Sequence, residues 1–235
     1  MHITRDWRKW NPRSYLSQYY MTPTIPSDEL SILRHILPFL RSRTHPFSKA
    51  IDVGAGPTLH HAIALIPYVA ELHLSDYLTN NLKHIRKWLD SAPDAHNWDT
   101  YIKEIILLEN TKETLNERKA LLREKITLLT KIDLKKQHPL ASREKYPLVT
   151  SFYCADSIAQ TKSQWRSYMR HLFQLVAPGG AIILSALHHA QQYIVGVHAF
   201  PSANITQGDL VDIFTQNNFR RNRLDIHEAP VSEPV

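Results

Sequence analysis

The run Ile51-Asp52-Val53-Gly54-Ala55-Gly56-Pro57-Thr58, with Ser75-Asp76-Tyr77 about twenty residues later, constrains this chain more than any other segment. A β-branched run, a Gly-x-Gly turn, a helix, and an acid closing a second apolar run together make a nucleotide-binding half-unit. Gly54 and Gly56 allow a tight turn and let the backbone approach a ligand where a Cβ would clash. Asp76, at the tip of the second strand, suits a ribose diol, because a carboxylate accepts two hydrogen bonds side by side. The third glycine of the dinucleotide fingerprint is absent, since Thr58-Leu59-His60 follow Pro57. That glycine serves helix packing beneath a pyrophosphate, so a nucleoside cofactor without one is favoured over NAD. S-adenosylmethionine meets that description.

Further along, apolar runs alternate with helical periodicity. A helix is expected over Ser27–Leu40, with Leu30, Leu33, Ile36, Leu37 and Leu40 on one stripe. Strands are expected at Ala50–Val53, Glu71–Leu74, Thr130–Leu134, Leu148–Tyr153, Ala181–Leu187 and Arg223–His227. Helices are expected at Leu59–Ile66, Asn80–Leu89, Glu113–Leu129, Ser163–Val176 and Thr206–Asn217, with Thr206 as N-cap. Ala177-Pro178-Gly179-Gly180 reads as a turn, and His188–Ala203 as an active-site loop or short strands. The pattern predicts a Rossmann-like α/β fold: an open, mostly parallel sheet with helices on both faces, in one domain over residues 1–235. Ligands in such sheets sit at the carboxyl ends of the strands, where Gly54, Asp76, Asp133 and Phe152-Tyr153 converge.

Composition excludes several alternatives. One cysteine, Cys154, rules out internal disulfides and a cysteine-rich zinc site, and fits a reducing, cytoplasmic setting. Met1–Trp10 is charged and lacks the apolar core of a signal peptide, and no apolar stretch is long enough to span a bilayer. The net charge of +6 raises nucleic-acid binding, but the basic residues are scattered among acids without aromatic interleaving, so a solvated basic surface is the reading adopted. His60-His61 resembles a metal pair only superficially: adjacent helical residues point to different faces, so no metal site is expected.

Several segments together resemble the small-molecule N-methyltransferases related to the nicotinamide, phenylethanolamine and indolethylamine enzymes. They are Tyr15-Leu16-x-x-Tyr19-Tyr20, Asp52–Thr58, Ser75-Asp76-Tyr77 with Asn81, Lys87-Trp88-Leu89 and Asn97-Trp98. The resemblance runs from about Tyr15 to Ile226. It implies a class I S-adenosylmethionine-dependent methyltransferase with residues 1–45 as an N-terminal lid, S-adenosylhomocysteine as product, and a small amine or N-heteroaromatic acceptor. Tyr15, Tyr20, Gly54, Ala55, Gly56, Thr58, Asp76, Tyr77, Asn81 and Phe152 would bind the cofactor, and Asp133 and Leu134 its adenine edge. Tyr19, Ser185, His188, Tyr193 and Ser202 would line the acceptor pocket, and Tyr20, Tyr153 and Asp156 would act on the transfer itself. A monomer is favoured, with no membrane partner.

The chain departs from that family in three places. Ser185 stands where the nicotinamide enzyme carries an acid, and Phe152 where a small residue is usual; both point away from nicotinamide itself. A final strand is expected to follow Arg223–His227, yet the sequence stops at Val235. Rival readings are an O- or S-methyltransferase of the same fold and a non-catalytic S-adenosylmethionine-binding or interaction protein.

Overall fold

A computed structural model describes residues 3–230. The strands are β1 (Ala50–Val53), β2 (Leu72–Asp76), β3 (Ile126–Lys131), β4 (Tyr146–Phe152) and β5 (Val176–Ser185), and all of them pair in parallel in the order β3-β2-β1-β4-β5. β1 pairs with β2 on one side and β4 on the other, so the chain reverses its direction of travel through the sheet at β1/β4. The crevice at such a switch point is where an open α/β sheet binds its ligand.

Period-two alternation divides the core into two layers. Ala50, Leu72, Leu74, Ile126 and Leu148 pack with side chains from α1 (Pro12–Tyr20), α2 (Ser27–Arg41), α3 (His60–Leu65), α4 (Thr79–Leu89), α5 (Asp99–Glu109) and α6 (Leu115–Lys125). Ile51, Val53, Tyr146 and Val149 face the other way, onto α7 (Lys162–Phe173) and α8 (Gln207–Gln216). Helices therefore cover both faces, as expected. A separate antiparallel hairpin, β6 (Gln192–Val195) with β7 (His198–Pro201), occupies the expected 188–203 loop. Thr206 caps α8 in a reciprocal capping box with Asp209.

Three expectations are corrected. The helix predicted through Leu129 ends at Lys125, and β3 begins at once with Ile126. Leu122 and Ile126 are both buried, which imitates a helical stripe, but pairing with β2 takes Ile126–Lys131 into the sheet. The Ala177–Gly180 turn lies inside β5 as a bulge, where the register passes from Tyr146–Val176 to Leu148–Ala181. No strand forms at Arg223–His227. Arg221–Arg223 is a 3₁₀ turn, and the next residues pack on α2: the Ser31 hydroxyl lies 2.8 Å from His227 Nε2, and His35 stacks on His227. Side-chain contacts with a helix have replaced sheet pairing there. Among the described residues no helix is long and apolar enough to cross a membrane.

Candidate active site

The carboxyl ends of β1, β2, β4 and β5 open into a cleft of about 1030 Å³. Its first wall is local in sequence. Gly54 and Ala55 both donate backbone N–H to Ser75 O, at 2.8 and 3.0 Å, which ties the glycine turn to the end of β2. Gly54 has φ +78°, and a Cβ there would sit 2.2 Å from Cys154 Sγ. Gly56 has φ +62° and open space where a Cβ would be. The glycine needed for close approach is thus Gly54, and its neighbour is Cys154 of the chain itself.

Asp76 Oδ2 accepts from Gly56 N–H at 2.9 Å, while Oδ1 accepts from Leu78 N–H at 2.7 Å and Asn81 Nδ2 at 3.0 Å. Burial pushes Asp76 up to about 6, although these three donors pull it down. Asn81 Oδ1 is buried with no partner among the described residues, so an acceptor stands beside Asp76 for a ligand hydroxyl. Asp133 and Leu134 follow β3 into the same wall. Asp133 Oδ1 accepts from Lys135 N–H, and Leu134 O is held by His171 Nδ1 at 2.8 Å. Ala55, Thr58 and Tyr77 complete it, the last at the rim and 43% exposed.

Residues far apart in sequence make the second wall. Asn11 caps α1 by accepting from Arg13 and Ser14 N–H, with Pro12 in the first turn. The i, i+4 spacing then puts Tyr15 beside Tyr19, with ring centroids 5.0 Å apart, and Tyr15 lies 5.6 Å from Tyr20. Tyr19 OH donates to Ile194 O at 2.7 Å, and Gly196 N–H donates to Gln18 Oε1 at 3.0 Å. These bonds latch α1 onto the β6–β7 hairpin, over the cleft. Phe152, Tyr153, Ser185, His188 and Tyr193 line the remaining side. Burial pushes Tyr15, Tyr20, Tyr153 and Tyr193 above the ordinary phenol range, so all four stay neutral at physiological pH.

Two expected residues stand elsewhere. The Asp156 carboxylate is buried outside this cleft, accepting from Leu187 N–H at 3.0 Å, while its backbone carbonyl takes Ala203 N–H. It joins the loops after β4 and β5 instead of facing the cleft. Ser202 is also buried outside it.

The histidine pair corrects the sequence reading. His60 and His61 are the first two residues of α3 and both are buried, so the 100° rotation between neighbours does not keep two rings of this reach apart. Its ring centroid lies 3.8 Å from that of His61, and both Nε2 atoms approach Glu29 Oε2, at 3.4 and 3.1 Å. His61 stacks on Phe152 with centroids 3.5 Å apart. Burial raises the Glu29 pKa, but the facing imidazoles outweigh it and hold Glu29 below the usual range; burial presses His61 down to about 4. Glu29 was missed in the sequence. Its signal is an acid three and four residues before Ile32 and Leu33, on the buried stripe of α2. Asp52 was missed as well: it lies within β1, lines the cleft, accepts from Thr150 Oγ1 at 2.8 Å, and is pushed up to about 6 by burial. So was the 223–230 segment, which lines the cleft and brings Glu228 Oε1 within 3.4 Å of His188 Nδ1.

The strand order, the glycine turn after β1 and the acid ending β2 define a Rossmann-like class I S-adenosylmethionine-dependent methyltransferase fold. A solved S-adenosylmethionine-dependent methyltransferase from Clostridium acetobutylicum shares that fold, with TM-score 0.52 at 10% identity over 86% of this chain and 85% of that one. A family model described as the NNMT/PNMT/TEMT family matches residues 3–235, and the chain belongs to that family of S-adenosylmethionine-dependent methyltransferases. Its relatives include mouse (Mus musculus) indolethylamine N-methyltransferase, 28% identical over 82% of this chain and 75% of that protein. Human (Homo sapiens) nicotinamide N-methyltransferase is 28% identical with the same two coverages.

Proposed function

We propose that the chain moves the S-adenosylmethionine methyl group to a nitrogen of a small amine or N-heteroaromatic acceptor. The observation that carries this reading is the latch of Tyr19 and Gln18 on the hairpin, which sets α1 beside the cleft and gives it an aromatic wall suited to a small acceptor. The N-methyltransferase names of the relatives support it.

Asp76 and Asn81 would hold the cofactor ribose, Asp133 and Leu134 its adenine, and Gly54–Thr58 the methionyl side. When bound, S-adenosylmethionine supplies an electrophilic methyl on a sulfonium. The chain's task is then to orient the acceptor and exclude water. Holding two reactants in line lowers the barrier by roughly 7–11 kcal/mol in favourable cases. The faces of Tyr15, Tyr20, Phe152 and Tyr153 suit a cation, and their aromatic cover keeps water out. Neutral phenols do not take a proton from the acceptor, so Tyr20 and Tyr153 act by position. Asp156 supports the site through Leu187 and Ala203. A heteroaromatic nitrogen needs no base; an ammonium acceptor would give its proton to solvent.

Both core layers share one sheet, which supports a single domain, and α1 over the cleft supports an N-terminal lid. The lone Cys154 supports a cytoplasmic setting. A screen of small amines, pyridines, phenols and thiols with methyl-labelled S-adenosylmethionine, with products placed by mass spectrometry, tests the acceptor. Label on nitrogen is the expected result, and label confined to oxygen or sulfur would overturn it.

A further inference from the structure

We propose that Glu29, His60 and His61 form a binding site for one first-row divalent transition-metal ion of the Zn²⁺ or Co²⁺ type. The site's open coordination position would face the cleft.

The geometry points there in three ways. First, the donors converge. Each of the three side chains offers one ligand atom, and those atoms all lie within 4.8 Å of one another. The two imidazole-to-carboxylate separations are 3.1 and 3.4 Å. Metal–ligand bonds of about 2.0–2.1 Å at tetrahedral angles put neighbouring donors about 3.3 Å apart. Second, the donors are held. Their side chains are 2–8% exposed. His61 lies flat on Phe152 at an interplanar angle of 14°, and His60 packs against both Tyr20 and Trp98. Little ordering is left for an ion to impose, and that preorganisation favours binding. Third, the set is selective. Two imidazoles and one carboxylate suit zinc, cobalt or nickel, whereas magnesium and calcium prefer all-oxygen shells.

All three residues line the cleft, so an ion has an entry path and its fourth position is open to water or to an oxygen or nitrogen of whatever the cleft holds. Methyl transfer does not require the ion, so the site stands or falls apart from the acceptor assignment. His60 Nδ1 has no partner among the described residues. A missing outer hydrogen bond typically weakens metal binding about 10–100-fold, so micromolar affinity is expected. The rival arrangement is two imidazole N–H groups donating to one carboxylate oxygen, which uses the same contacts and takes up no ion.

Chelator-treated protein, titrated with Co²⁺ and followed by its visible absorption, separates the two. One Co²⁺ per chain, displaced by Zn²⁺, is expected. Glu29→Gln, His60→Asn and His61→Asn should each weaken uptake at least tenfold, while His45→Asn, at an exposed position, should leave it unchanged. X-ray absorption of the Zn²⁺-loaded wild-type chain should show two imidazole nitrogens and one carboxylate oxygen, and this needs no variant to fold. Lack of stoichiometric uptake by the folded wild type would overturn the site. So would uptake retained by the His60→Asn/His61→Asn double variant, or a spectrum without two imidazoles.

Discussion

The two walls of the cleft are built differently. The wall proposed for the cofactor is backbone and short-range: Gly54, Gly56, Asp76 and Asn81 fall within 28 residues, and their bonds run between the end of β1, the end of β2 and the first turns of α4. The wall proposed for the acceptor is side chain and long-range. Tyr19 reaches Ile194, His60 and His61 meet Glu29 from α2, and His227 packs on Ser31. A wall made by a tight turn has little freedom to vary, because one glycine φ and one carboxylate fix it. A wall made by packed side chains changes with each substitution, so acceptor choice can differ within a family while the cofactor stays the same.

That contrast can be broken most sharply at Gly54. Gly54→Ala places a Cβ against Cys154 Sγ at a positive φ, and should cost about 2–5 kcal/mol of stability by thermal melting. Adding Cys154→Gly should recover part of that loss; an unchanged melting temperature in the single variant would mean that the turn is not fixed as described.

Next in size, Asp76→Ala removes the acceptor for three donors and the proposed ribose contact. Charged hydrogen bonds contribute about 1.5–3 kcal/mol each, so calorimetry should show S-adenosylmethionine binding weakened roughly 100-fold or more. The same group sets a pH dependence. Asp76 is raised to about 6, so it gains a proton as pH falls through 6 and loses its negative acceptor. Cofactor affinity should therefore weaken between pH 7 and 5, and Asp76→Asn should flatten that slope.

On the acceptor wall, Tyr19→Phe removes one bond to the hairpin, worth about 0.5–1.5 kcal/mol. The acceptor KM should rise roughly 2–10-fold with cofactor affinity unchanged; a loss of cofactor binding instead would merge the two walls. The smallest effect is expected from Asp156→Asn, which keeps an oxygen for Leu187 N–H outside the cleft. A kcat within about twofold of wild type, read beside Tyr153→Phe, would mark Asp156 as support, and a collapse of kcat would place it in the chemistry.

Much of this arrangement was legible in the chain because its causes are local. Gly-x-Gly after a β-branched run and an acid after the next apolar run can be read within one window, and Thr206 announces its helix by its own cap. What resisted reading depended on partners far away. Leu122 and Ile126 look like one helical stripe until β2 claims the second of them. Arg223–His227 has a strand's composition, yet its side chains find α2.

The sequence by itself therefore determined the parallel sheet and its glycine turn, since backbone preference and period-two burial act over a few residues. The tertiary structure decided which side chains meet across the cleft. It turned Asp156 and Ser202 away and brought Glu29 against His60 and His61, because burial orients polar groups toward partners that no local pattern specifies.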